Sequence, residues 1–132
     1  MKSNQKKQSI LLVDDNKGFS QRLSTLLNEM DCVSEVSTAG NYDEAIRSID
    51  HTTYDIVLMD INMPGKSGMI LLRKVKEMGV DSEVVMLSNY AGAAYRQECI
   101  RLGASHFLDK TTDIEKVPLI IHSFCSGIFN TL

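Results

Sequence analysis

Residues 10–15 of this 132-residue chain read ILLVDD, an apolar run that passes directly into two adjacent carboxylates. A short run rich in leucine and β-branched side chains, bounded by polar residues, predicts a β-strand. Residues 56–60, IVLMD, repeat the pattern and end in Asp60, whereas residues 84–88, VVMLS, end in Ser88. A further run leads through residues 107–109 to Lys110. If these strands are parallel, their polar ends emerge at one edge of a single sheet.

Working outward from these runs, strands alternate with helices along the whole chain. Apolar side chains at helical spacing, among them Phe19 and Leu23, predict the first helix, and Asn41 with Glu44 three positions later marks the start of the second. The predicted strands cover 9–13, 33–37, 54–59, 83–87 and 105–108; the predicted helices cover 16–30, 41–49, 67–78, 91–102 and 114 to about 127. This alternation is typical of an α/β fold in which helices cover both faces of a parallel sheet.

Composition fits a single soluble domain. Hydrophobic residues make up 43% of the chain and charged residues 23%, and the net charge is only −3. The mild charge favours neither nucleic-acid binding nor attachment to an acidic membrane surface, and no apolar stretch is long enough to span a bilayer. We expect a disordered polar tail over 1–8, one domain over 9–128, and at 129–132 either the natural C-terminal end or the start of a truncated linker.

The three cysteines, Cys32, Cys99 and Cys125, are odd in number and far apart. This spacing predicts neither a disulfide framework nor a zinc site, so we expect all three to pack in the core. Unpaired cysteines are consistent with a reducing cytoplasm.

The predicted sheet edge brings acids, a hydroxyl and an amine together. Any one acid after a strand is more often structural than functional, because acids cap helices and solvate turns. Three carboxylates in one pocket, however, repel each other, and a cation such as Mg²⁺, which prefers hard oxygen ligands, would neutralise Asp14, Asp15 and Asp60. Lys110 would supply a cation for an anionic substrate such as phosphate, and Ser88 a hydroxyl donor.

These pieces resemble the receiver domains of bacterial response regulators, from about residue 9 to 128. The resemblance is carried by residues 11–15 (LLVDD), 58–65 (LMDINMPG), the strand end at Ser88, and 103–110 (GASHFLDK), in that order and at domain-scale spacing. It implies a flavodoxin-like, doubly wound, five-stranded parallel sheet of order 2-1-3-4-5.

The resemblance also implies roles for the metal and the phosphoryl group. Asp60 would be the phosphoacceptor and would bind Mg²⁺, or alternatively Mn²⁺, directly. Asp15 would bind the metal directly and Asp14 largely through water, and the backbone carbonyl of Asn62 would complete the protein's ligands. Lys110 would pair with a phosphoryl oxygen.

Two further residues would form a conformational switch. Ser88 would move to bond another phosphoryl oxygen, and Phe107, which lies where the family has a switch aromatic, would turn inward. The face made by the fourth helix, fifth strand and fifth helix would then change shape for a partner that reads it.

The chain departs from the commonest family pattern at several positions. Thr111 follows Lys110 where a proline is usual, which bears on the geometry of Lys110. Asn89 follows Ser88 where a small residue is frequent and would narrow access to Asp60. Asn62 and Tyr90 occupy variable positions that tune the lifetime of the phosphate in this family.

The leading hypothesis is therefore a phosphoacceptor domain charged by a histidine kinase or a histidine phosphotransfer domain. Such a domain would catalyse its own phosphorylation and slow dephosphorylation but would turn over no external substrate. We expect a monomer or a weak phosphorylation-linked dimer in the cytoplasm, without nucleic-acid or membrane binding. The alternatives are a phosphorylation-independent interaction module on the same fold and a metal-dependent hydrolase. The chain is either a stand-alone domain or a truncated regulator.

Overall fold

Five parallel strands form one sheet of order β2-β1-β3-β4-β5 in the computed structural model, which describes residues 7–89 and 93–126. The strands are β1 (Gln8–Val13), β2 (Val33–Ala39), β3 (Ile56–Asp60), β4 (Glu83–Ser88) and β5 (His106–Asp109). The helices are α1 (Lys17–Asn28), α2 (Tyr42–His51), α3 (Gly68–Glu77), α4 (Ala93–Arg101) and α5 (Lys116–Ser126). The predicted flavodoxin-like fold is confirmed.

Side-chain capping explains where the first two helices begin. The Asn16 side chain accepts a hydrogen bond from the Phe19 amide (3.0 Å), so Asn16 is the N-cap of α1 rather than its first residue. The Asn41 side chain accepts in the same way from the Glu44 amide (2.9 Å) and confirms the predicted cap of α2. The Glu44 carboxylate, in turn, accepts from the amide of Gly40 (2.7 Å).

The core has two layers because successive strand residues face opposite sides of the sheet. Leu11 and Val13 of β1 pack on the side covered by α2, α3 and α4, whereas Ile10 and Leu12 pack on the side covered by α1 and α5. All four are fully buried. The strand core is therefore closed on both faces, and polar side chains collect at the strand ends.

All three cysteines are buried in the core, as predicted, but the expectation that none of them forms a disulfide is wrong. Cys32, which follows α1, and Cys125 of α5 form a disulfide, with 6.0 Å between their Cα atoms. Their separation of 93 residues hides the pairing from any local sequence pattern, and only the packing of α5 beside the start of β2 brings them together. Cys99 is a free, buried thiol as predicted. The expectation of a reducing compartment depended on three unpaired cysteines. Among the described residues, one unpaired cysteine, Cys99, remains.

Across residues 7–89 and 93–126, no helix has the length and apolar character needed to cross a bilayer.

Candidate functional site

The strand register places the predicted polar residues along one edge of the sheet. Val13 pairs with Met59, so Asp14 follows β1 at the level where Asp60 ends β3. Ser88 ends β4 and pairs with Asp109 at the end of β5, directly before Lys110. Parallel strands bring their carboxyl ends to the same edge, which is why residues nearly a hundred positions apart converge.

The three predicted acids form a cluster. Carboxylate oxygens of Asp14, Asp15 and Asp60 all lie within 4.8 Å of one another. Asp14 and Asp60 are almost fully buried, each with 2% of its surface exposed, whereas Asp15 is exposed. The predicted convergence of the acids is therefore present.

Lys110 reaches this cluster from the end of β5, the edge strand of the sheet. Its ammonium donates to Oδ2 of Asp14 at 2.7 Å and lies 3.6 Å from Oδ2 of Asp60. The Lys110 side chain is only 7% exposed, so the ion pair is shielded from water. One cation thus lies between two buried carboxylates, which reduces their mutual repulsion without cancelling it.

The proton affinity of Asp60 is shifted by its surroundings. Burial raises the pKa of its carboxyl from the ordinary 3.8 to about 6, and the charges of Asp14 and Asp15 push in the same direction. The Asn62 amide, which donates to Oδ1 of Asp60 at 3.1 Å, and the Lys110 ammonium oppose this shift. A further cation beside Asp60 would therefore stabilise the charged form of its carboxyl.

The oxygen-rich composition of the cluster suits a hard divalent cation. Three carboxylates offer the ligands that Mg²⁺ prefers, and Mg²⁺ commonly keeps several of its waters. Asp14 and Asp15 also line an open cavity of about 650 Å³ between α1, β2 and the start of α2. The side of the cluster nearest Asp15 is thus accessible from solvent.

The predicted hydroxyl is also at the site. Ser88 is 1% exposed, and its Oγ donates to the side-chain oxygen of Asn62 at 3.4 Å. The carbonyl of Ser88 accepts from the amide of Lys110 at 2.8 Å, which ties the ends of β4 and β5 together. Asn89 is exposed beside Ser88, and Tyr90 lies outside the described residues.

The predicted switch aromatic is held by a residue that the sequence did not single out. Phe107 is 3% exposed and packs in the core on the α2–α4 side. The guanidinium of Arg96, on α4, lies 5.1 Å from the centroid of the Phe107 ring and also donates to the Phe107 carbonyl at 3.1 Å. Arg96 therefore bridges α4 and β5, a contact that no sequence spacing indicates.

Two further contacts near Lys110, those of Phe19 and Asp109, were not predicted from the sequence. The Lys110 ammonium lies 4.3 Å from the centroid of the Phe19 ring, whereas the sequence pattern predicts for Phe19 only a place on the apolar face of the first helix. The peptide bond between Lys110 and Thr111 is trans, as are all peptide bonds in the described residues. The carboxylate of Asp109 accepts a hydrogen bond from the Thr111 amide in the turn that follows β5. The sequence feature that could have predicted this bond is an aspartate two residues before Thr111.

Comparison with known proteins identifies the family. Residues 10–122 match the response regulator receiver domain. Curated relatives include the transcriptional regulatory protein DesR of Bacillus subtilis, 28% identical over 90% of this chain and 59% of DesR, and the nitrate/nitrite response regulator protein NarL of Escherichia coli, 26% identical over 95% of this chain and 58% of NarL. The chain therefore spans less than three-fifths of either relative.

Solved structures show the same fold. The Francisella response regulator 1452 receiver domain superposes with a TM-score of 0.84 at 22% identity, covering 92% of this chain and 99% of that domain. A LuxR-family two-component response regulator from Aurantimonas gives a TM-score of 0.84 at 26% identity, covering 92% of this chain and 86% of that protein.

Proposed function

Because the chain belongs to the response regulator receiver domains of two-component systems, we propose that it accepts a phosphoryl group on Asp60 in a phosphorelay. The observation that carries the proposal is the placement of Asp60 beside two other acids, with Lys110 within reach. A lone buried acid would be a structural feature, but an acid between a cation site and an ammonium is equipped to receive an anion.

The transfer step is a displacement at phosphorus. A carboxylate oxygen of Asp60 attacks the phosphorus of a partner's phosphohistidine, and a P–O bond forms while the P–N bond breaks. The electron pair of the broken bond returns to the imidazole, which leaves as a neutral ring when its other nitrogen carries a proton. Asp60 becomes an acyl phosphate, and later attack by water returns the carboxylate and inorganic phosphate.

Asp14, Asp15, Asp60 and the backbone carbonyl of Asn62 would hold the metal, which we propose to be Mg²⁺, with Mn²⁺ as the alternative. A bound divalent ion supplies positive charge that offsets the negative charge of the transferring phosphoryl group. The fit of the donor set rests on the cluster itself, whose carboxylate oxygens are close enough to share one ion.

Lys110 and Ser88 would hold the phosphoryl group once it is transferred. The Lys110 ammonium is 3.6 Å from the Asp60 carboxylate, so an oxygen of a group bonded to Asp60 would come within its reach. Lys110 would then exchange part of its bond with Asp14 for the new anion. Ser88 would donate to a second oxygen, because its hydroxyl already bonds the side chain of Asn62, whose backbone amide donates to Asp60.

The output would be a change in the surface formed by α4, β5 and α5. Ser88 is bonded to Lys110 through the backbone, and Arg96 joins β5 to α4 at Phe107, so displacement of Ser88 has a contiguous route to α4. The exposed apolar side chains Tyr95 and Ile100 of α4 and Leu119 of α5 give a partner something to bind.

The proposed donor is a histidine kinase or a histidine phosphotransfer domain, and a downstream protein reads the α4-β5-α5 surface. We also propose that the domain is a monomer or a weak phosphorylation-linked dimer in the cytoplasm. By itself it would bind neither nucleic acid nor membranes. Asn62, Asn89 and Tyr90 are proposed to set the lifetime of the phosphate.

The experiment uses a small phosphodonor, acetyl phosphate, with intact-protein mass spectrometry. Wild type with Mg²⁺ should gain one phosphoryl group, and EDTA or Asp60→Asn should abolish the gain. Equal labelling of Asp60→Asn would remove the assigned acceptor. Failure of wild type with acetyl phosphate and phosphoramidate would favour the phosphorylation-independent interaction module, and release of many phosphates per chain would favour a hydrolase.

A further inference from the structure

The turn that carries Lys110 is held by the carboxylate directly before it. Oδ1 of Asp109 accepts hydrogen bonds from the Thr111 amide at 2.7 Å, the Thr111 hydroxyl at 2.6 Å and the Thr112 amide at 3.0 Å. A single side-chain oxygen thus fixes the two residues that follow Lys110, as aspartates do in tight turns.

A second carboxylate closes the turn in the opposite direction. Oδ2 of Asp113 accepts from the Asp109 amide at 2.9 Å, and the Asp113 amide donates to the Asp109 carbonyl at 2.9 Å. The other carboxylate oxygen of Asp113 lies 3.2 Å from the ammonium of Lys116 in the first turn of α5. Lys110 therefore lies inside a small closed loop that is anchored to the start of α5.

The backbone of Lys110 needs this support because the side chain is long and its ammonium must be placed between two specific carboxylates, those of Asp14 and Asp60. Four rotatable bonds separate the Lys110 backbone from an ammonium that must stay 2.7 Å from Asp14 and 3.6 Å from Asp60. On one side, the Lys110 amide is bonded to the Ser88 carbonyl. On the other side, Lys110 is followed by Thr111. The φ angle of a threonine is not fixed by a ring, whereas that of a proline is.

We propose that Asp109 is a positioning residue for Lys110, whose carboxylate holds the β5–α5 turn where Thr111 gives no intrinsic restraint. The inference rests on the proposed function, since it concerns how the ammonium reaches the phosphoryl group. These hydrogen bonds also lower the pKa of Asp109, so its carboxylate is charged and fully available as an acceptor at neutral pH. The turn thus provides through side-chain bonding what a proline would provide through its ring.

The test compares Asp109→Ala with Asp109→Asn, which keeps a side-chain oxygen able to accept the same bonds. The control is Asp50→Ala, which removes an exposed carboxylate from α2. At saturating acetyl phosphate with Mg²⁺, Asp109→Ala should label about 10-fold to 100-fold more slowly, as expected for a misplaced group. Asp109→Asn should recover most of the rate, and Asp50→Ala should label like wild type.

Two measurements separate positioning from a general loss of structure. In a Lys110→Ala background, Asp109→Ala should slow labelling no further, because Asp109 acts through Lys110. Independently of labelling, the ¹⁵N NMR signal of the Lys110 ammonium should shift or broaden in Asp109→Ala but not in Asp50→Ala.

The contrary outcomes are distinct. An unchanged ammonium signal in Asp109→Ala, or an equal slowing with and without Lys110, would overturn the positioning role even if labelling falls. Wild type that does not label would overturn the proposed function, and the ammonium signal would still decide whether Asp109 places Lys110.

Discussion

The ammonium of Lys110 donates to the carboxylate of Asp14 at 2.7 Å, across a sequence separation of 96 residues. This buried pair joins the end of β5 to the end of β1 at the edge where Asp60 ends β3. The free energy of unfolding should therefore depend on which cations lie at this edge of the sheet. This dependence can be measured without any partner protein.

Replacing Lys110 by the nearly isosteric methionine should destabilise the metal-free domain. Removing one partner of a buried pair leaves an uncompensated charge, so we expect the free energy of unfolding to fall by about 3–5 kcal/mol in EDTA. Urea denaturation measures this, and Mg²⁺ should restore part of the loss, because a second cation can replace the first.

Lys116→Met is the matched control for that substitution. The Lys116 side chain is 64% exposed and pairs with Asp113 on the surface, so its loss should cost less than about 1 kcal/mol. Equal effects at Lys110 and Lys116 would show that the Asp14 pair is screened like a surface pair.

Asp60→Asn should stabilise the metal-free domain in a pH-dependent manner. The folded-state pKa of Asp60, about 6, lies above the ordinary 3.8, so the folded state binds the extra proton in the interval between these values. Stability should therefore fall as pH rises from about 4 to 6, by about 1–2 kcal/mol once the 1.36 kcal/mol per pKa unit is reduced for solvent screening. In Asp60→Asn, which has no titrating carboxyl at this position, this decrease in the free energy of unfolding should be absent.

Urea melts in EDTA across pH 4–7 measure the effect. The advantage of Asp60→Asn over wild type should grow through this window and reach a plateau near neutral pH. A constant difference at every pH would mean that the wild-type carboxyl titrates normally in the folded protein.

Gly68→Ala should disrupt the acceptor. A Cβ at Gly68, the first residue of α3, would lie 2.2 Å from the carbonyl oxygen of Asp60, so α3 or the end of β3 would have to move. We expect a loss of about 3 kcal/mol or more in unfolding free energy, together with slower labelling of Asp60.

Gly18→Ala provides the comparison, since Gly18 lies in the first turn of α1 and an added Cβ there meets Asn16 Oδ1 at 3.5 Å, an ordinary contact. This change should be neutral or stabilising by about 0.5–1 kcal/mol through helix propensity. If Gly68→Ala behaved like Gly18→Ala, the close approach of α3 to Asp60 would be wrong.

The disulfide between Cys32 and Cys125 predicts a stability that responds to reductant. Alkylation of the denatured, unreduced protein should modify Cys99 alone, and prior reduction should expose all three thiols. Reduction should cost about 2–5 kcal/mol, because the bridge closes a long loop in the unfolded chain.

Cys125→Ser should remove the response to reductant, whereas Cys99→Ala should preserve it. Three alkylated thiols before reduction would show that Cys32 and Cys125 are close but unbridged.

The fold was predictable because two signals agree along the whole chain. Apolar runs such as residues 10–13 and 56–59 end in polar residues at the same edge, and the intervening segments have helical periodicity. Element ends were less accurate: β2 extends to Ala39, two residues past the prediction, because its pairing with Val13 of β1 continues. Strand pairing is a tertiary effect that the run itself does not encode.

The convergence of Asp14, Asp15, Asp60, Ser88 and Lys110 followed from the strand ends alone. Contacts between side chains on different elements did not: the pairing of Arg96 with Phe107 and the disulfide depend on how helices pack on the sheet, which has no local pattern. The turn at Asp109 is intermediate, since an aspartate two residues before a threonine pair favours a tight turn but does not show that the turn holds Lys110 in place.

The most direct test of the central claim is to locate the transferred group. After incubation with acetyl phosphate and Mg²⁺, borohydride reduces an acyl phosphate to the alcohol, so an aspartyl phosphate becomes homoserine. Peptide mass spectrometry should find this conversion at Asp60 and at neither Asp14 nor Asp15. Conversion at another acid, or labelled protein with unmodified Asp60, would contradict the account.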